Sequence, residues 1–95
     1  MIVVTSKFVV KPEHRDEFLA VLTAFKPEGT HYSRVSEDVT APNTFYVYHQ
    51  MPDEEVFERG SRNEVPEMMG KIGLFLADTP HITRYTMSDE RIMME

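Results

Sequence analysis

Four side chains here titrate close to neutral pH in their unperturbed state: His14, His31, His49 and His81. No two of them are spaced like a metal site, such as a pair of histidines one helical turn apart. His14 falls in the polar first turn of an expected helix, where solvation is its simplest fate. The other three fall on three different expected strands. His49 is set apart by alternation. Successive strand residues point to opposite faces, so it shares a face with Phe45, Val47 and Met51. A histidine in that apolar company can take a proton from a phenol or quinol. The plainer alternative is a hydrogen-bonded strand histidine with no chemical part.

Other chemical groups are sparse. Cysteine is absent, which removes disulfides, thiol nucleophiles and thiolate-bound metals, and fits a reducing compartment. Tyr32, Tyr46, Tyr48 and Tyr85 sit on expected strands, with Tyr46 and Tyr48 on the face opposite to His49. Arg34 and Arg84 are charges inside strands. They are expected to pair with Glu37 or Asp38, or with a second subunit, ahead of holding a substrate anion. There is no glycine-rich phosphate loop, nucleophile elbow or pair of carboxylates that periodicity would bring together. Ten Lys+Arg against sixteen Asp+Glu give a formal charge of -6, which argues against a nucleic-acid partner.

These groups need a frame, and 95 residues allow one domain, 1–95. Residues 2–10 read as a strand, apolar on both faces. Pro12 opens a helix whose apolar stripe is Phe18, Leu19, Leu22 and Phe25, and Pro27 ends it. Residues 30–37 and 44–51 read as two more strands, antiparallel across the short loop 38–43. Asp53 caps a second helix, bent near residues 63–66 because Pro66 forbids a continuous one. Its stripe of Met68, Met69 and Ile72, with Phe57 before it, reads as core or as the roof of a cavity. Residues 82–87 make the last strand, and the tail 89–95 is expected to be flexible or to touch a second subunit. No apolar run is long enough for a membrane span, and the N-terminus lacks the positive start of a signal peptide, so a cytoplasmic protein with no membrane partner is expected.

The resulting order, βαββαβ, is the α+β ferredoxin-like arrangement: a four-stranded antiparallel sheet with both helices on one face. An uncovered second face bearing apolar and aromatic side chains predicts a homodimer packed through those faces.

Over nearly its whole length the sequence resembles the antibiotic biosynthesis monooxygenase domain, a branch of the dimeric α/β-barrel proteins. The carrying segments are MIVVTSKFVVKP (1–12), EHRDEFLAVLTAF (13–25), PNTFYVYHQMPDEEVFE (42–58) and TPHITRYTM (79–87). The resemblance implies a small homodimer of a kind that often oxygenates polycyclic aromatics or quinols with no metal or flavin cofactor, and here a small aromatic or quinol-type ligand. It also implies that the His49 face of its strand lines a cavity between sheet and helices. His49 is then the candidate base, with Val47, Met51, Phe57 and Met69 as the substrate-binding wall. Two alternatives keep the fold: a proton-transfer isomerase, and a non-catalytic dimer that only binds a small molecule. Many relatives carry tryptophan where Met51 stands, and histidines where Gly60 and Val65 stand. The haem-degrading branch depends on such a pair, so haem degradation is not implied.

Overall fold

The computed structural model describes residues 1–86, the last two by backbone alone. The tail and Met87 lie outside the described residues. Strand β1, Ile2–Val9, is built from β-branched residues that fit a pleated surface. Pro12 opens a single 3-10 turn, Pro12–His14, which leads into helix α1, Arg15–Ala24. Strands β2, Tyr32–Glu37, and β3, Thr44–Met51, follow. Helices α2, Glu54–Arg62, and α3, Glu64–Ile72, come next, then β4, His81–Thr86. The strands lie in the order β2-β3-β1-β4, all antiparallel. This is the expected ferredoxin-like α+β architecture. Among the described residues no helix is long and apolar enough to cross a membrane.

Local chemistry sets the breaks. The Asp53 carboxylate accepts the backbone N–H of Val56 at 3.0 Å and caps α2. At Asn63 the chain leaves α2 and enters α3, and Pro66 falls in the first turn of α3, where its missing N–H costs nothing. Gly29, at φ +88, carries the turn after Pro27, and a Cβ there would press on Val56 at 3.1 Å.

The helix-facing side of the sheet holds two apolar clusters. Phe8, Phe18, Phe45, Leu22 and Ile72 centre one; Ile2, Val4, Met51 and Val56 form the other. Register sets which side chains meet there. Val4 pairs with His49 and Arg84, and Ser6 with Val47 and Ile82, so all of these face the helices. The opposite face carries Tyr32, Tyr46, Tyr48, Arg34 and Lys7, with Val3 and Val9 as its aliphatic members from β1 and β3. It is more polar than a strand apolar on both sides suggests.

Several expectations shift. The first strand ends at Val9, and Val10 joins the structure through an isolated bridge to Leu76. The second strand begins at Tyr32 because the backbone N–H of Thr30 closes the turn onto Pro27 at 3.2 Å. The last begins one residue early, at His81. His14 is not simply solvated: its ring stacks on Phe75 at 5.0 Å, with Nδ1 3.1 Å from the Glu17 carboxylate. Neither strand arginine takes Glu37 or Asp38. Arg15 donates to Glu37 at 2.6 Å, and the Tyr46 hydroxyl donates to Asp38 at 3.1 Å. Arg84 faces the helices and pairs with Glu54, while Arg34 lies over the Tyr48 ring at 5.8 Å.

Candidate functional site

Between the two apolar clusters, sheet and helices do not meet. A cavity of about 150 Å³ is left there. Its floor is Val4, Ser6 and Phe8 from β1 with Val47, His49 and Met51 from β3. The roof is Phe57, Gly60 and Ser61 from α2 with Val65, Met68 and Met69 from α3. Leu22, Phe25 and Pro27 close one side, and Ile82, 53% exposed, stands at the rim. The structure thus brings His49, Val47, Met51, Phe57 and Met69 to the lining of one cavity.

Small residues keep it open. Ser6 interrupts the helix-facing run Ile2, Val4, Phe8, Val10 with a short side chain. Gly60 adds nothing to the roof, and a Cβ there would already stand 3.5 Å from that of Pro27. Ser6 does not stand out as part of a site in the sequence, and Gly60 does so only as the place of a histidine in many relatives. The signal for Ser6 was present, as the one short polar residue on the strand's core parity. Phe25 was read only as a member of the first helix stripe. It is instead the extended residue that ends α1, and its ring meets the His49 ring edge-on at 5.8 Å.

Among the described residues His49 is the one titratable side chain in this lining. It is 6% exposed, and among the described residues no group hydrogen-bonds its Nδ1. Burial penalises the imidazolium and pushes its pKa below the ordinary histidine value. A second cleft, of about 360 Å³, shares Leu22, Phe25, Val47 and His49 with the cavity and adds Thr23, Lys26, Ser33 and Arg34. The imidazole therefore stands between an apolar chamber and an outer cleft that carries Lys26 and Arg34. Arg84, on the helix-facing side of β4, is committed: it pairs with Glu54 and lies 4.7 Å over the Phe57 ring. Among the described residues no three His, Asp or Glu side chains converge to hold a metal ion.

Taken together, the site offers an apolar slot with one neutral, unpartnered imidazole. It can hold a flat apolar molecule and accept or share a proton at one point of its edge.

Comparison with known proteins sets this in a family. No curated protein matches the sequence. Among solved structures, a conserved protein from Methanosarcina mazei superposes with a TM-score of 0.79 at 23% identity, over 88% of this chain and 89% of that one. A candidate antibiotic biosynthesis monooxygenase from Deinococcus radiodurans superposes with a TM-score of 0.84 at 17% identity, over the full length of both. Another from Caulobacter crescentus gives 0.82 at 16%, over 93% and 90%. At these identities the likeness establishes the fold. Residues 1–64, which include β1 to β3, α2 and much of the cavity wall, match the family's sequence pattern. The chain belongs to the antibiotic biosynthesis monooxygenase family.

Proposed function

We propose that the protein is a monooxygenase that binds a small hydroxylated aromatic or quinol in this cavity, with His49 as general base and Val47, Met51, Phe57 and Met69 as walls. The observation that carries the reading is the lone imidazole in an apolar chamber, in a chain of this family. The neutral ring accepts the substrate's hydroxyl proton, and the phenolate so formed passes electrons to dioxygen. For a phenol with a free para position, one oxygen atom bonds to that carbon and the other leaves as water. The water takes the hydroxyl proton back from His49 and the hydrogen displaced from the ring. The product is a quinone, the substrate supplies all four electrons, and the reading calls for no cofactor.

His49 is a weak base for this task. A hydroxyl as acidic as tyrosine's, with a pKa of about 10, lies more than roughly three units above it. Each unit of substrate acidity recovers about 1.4 kcal/mol of the proton transfer. Phenols acidified by their ring substituents are therefore the preferred substrates.

The reading includes a cytoplasmic homodimer packed through the open sheet face, where Tyr32 and Tyr48 already meet at 6.0 Å. A folded 11.1 kDa monomer in sedimentation at micromolar concentration would overturn the dimer. A second reading, a dimer that binds an aromatic without turning it over, draws on the roof, where Gly60 and Val65 supply no acid or base. Oxygen uptake separates the two. With a panel of phenols and quinols, uptake by the intact protein and its loss in His49→Ala support the oxygenase. Binding without uptake leaves the binding protein.

A further inference from the structure

The size and charge of the chamber reach further than the reaction class. We infer that the cavity accepts a neutral aromatic hydroxy compound of a single ring, and excludes fused-ring and carboxylated ones. The inference rests on the reading above for what happens to the ligand, but not for its binding.

Volume is the first argument. An apolar protein cavity of about 150 Å³ holds one benzene, and this one has about 150 Å³. Two or three fused rings would need on the order of half as much again to twice that space. The floor cannot yield it. Val4, Phe8, Val47 and Met51 belong to paired central strands, each 7% exposed or less, and close-packed interiors resist such expansion.

Charge is the second. Among the described residues the lining contains no cation, its polar side chains are Ser6, Ser61 and His49, and Arg84 is held by Glu54. Inside the chamber a carboxylate would have nothing to pair with it, at a large desolvation cost, because Lys26 and Arg34 line only the cleft beyond His49. The third argument is the one polar handle. His49 is 94% buried, with an Nδ1 that no group of the described residues serves. A hydroxyl both donates and accepts, so it can partner the ring in either tautomer, where an ether or a carboxylate could not.

Calorimetric titration of the full-length protein with phenol, para-methylphenol, naphthol and para-hydroxybenzoate at neutral pH tests this. The two single-ring phenols should bind. Naphthol should bind at least about tenfold more weakly, and para-hydroxybenzoate should give no heat. Met69→Ala, which enlarges the roof at a half-buried position, should raise naphthol affinity at least about tenfold and lower that of phenol. Melting curves of both proteins establish that the variant is folded. Naphthol or the carboxylate binding the intact protein as tightly as phenol overturns the inference, as does no detectable binding of either phenol. Oxygen uptake on the same samples keeps the two readings apart. Phenol and a ring-acidified phenol both bound without uptake defeat the oxygenase and leave the ring-size inference standing. Uptake with fused-ring substrates alone does the reverse.

Discussion

The two ends of the sheet–helix interface are built from the same strands and packed in opposite ways. At one end Phe18 sits between Phe8 and Phe45, with ring centroids 5.6 and 5.3 Å apart, and Ile72 closes over them fully buried. At the other, β1 and β3 present Val4, Ser6, His49 and Met51 to a roof that includes Gly60 and Ser61, and a chamber remains. Aromatic side chains each bury a large area and lock one another in place. Short ones leave space that the rigid strands cannot collapse into. The solid end thus anchors the helices, and their span over the strands holds the hollow end open.

The sharpest way to break this comparison is to hollow the solid end. Phe18→Ala removes a ring that is 0% exposed and touches two others. The expected loss is about 3–5 kcal/mol, enough to unfold much of a small domain's population. Urea titration measures it. A loss under about 1 kcal/mol would mean that the aromatic cluster does not hold the fold.

At the hollow end a change should harm chemistry and spare stability. His49→Ala is expected to reduce turnover roughly 10²–10⁴-fold. Its stability should change little, since deleting an unserved buried polar group offsets part of the new void. Melting point and turnover on one preparation test both. Turnover intact with a lowered melting point would make His49 a structural residue and leave the binding-protein reading ahead.

Filling the chamber sharpens the contrast further. Ser6→Val points an added apolar group at Val47 and Ile82, its neighbours in register. In a packed core such growth costs about 1–3 kcal/mol. In a real void it should stabilise by about 1 kcal/mol and weaken phenol binding. A destabilised variant would show that the space beside Ser6 is already filled.

The contrast also marks what the sequence makes legible. Alternation in β3 puts His49 beside Val47 and Met51, because β-branched and aromatic residues there leave one strand reading only. The capping Asp53 and the break before Pro66 follow from backbone chemistry a few residues long. Ser6 stayed hidden because β1 is apolar on both faces, and one short residue carries no period. The Arg84–Glu54 pair joins residues thirty apart. It follows from the β1–β4 register, which no local pattern encodes. The same holds for His14 on Phe75. Its stacking depends on where the chain returns after α3, fixed by the bridge of Val10 to Leu76.

The smallest effect is the pH dependence of the hollow end, and it joins stability to activity. Burial alone lowers the His49 pKa. Among the described residues the ionic groups in the adjoining cleft are Lys26 and Arg34, and no carboxylate lines either space to pull it back up. A histidine whose pKa is lower folded than unfolded binds its proton more readily in the unfolded chain. Stability from this group is therefore complete above the ordinary value of 6.5 and is lost as pH falls from there through the folded value. Asp38 is also lowered, by hydrogen bonds from Thr40 and Tyr46, but it titrates below the ordinary carboxylate value of 3.8 and so in a separate window. The difference between the intact protein and His49→Gln isolates the histidine: the intact protein should lose more stability between neutral and mildly acid pH. The same group sets the acid limb of turnover. Only neutral imidazole accepts a proton, so turnover should rise with pH through the folded value and level off below the pH expected of a solvated histidine. Melting curves and rates across one pH series give two independent readings of one pKa. If the acid limb of turnover lies at or above the ordinary histidine value, the base that limits the reaction is not the buried ring of His49.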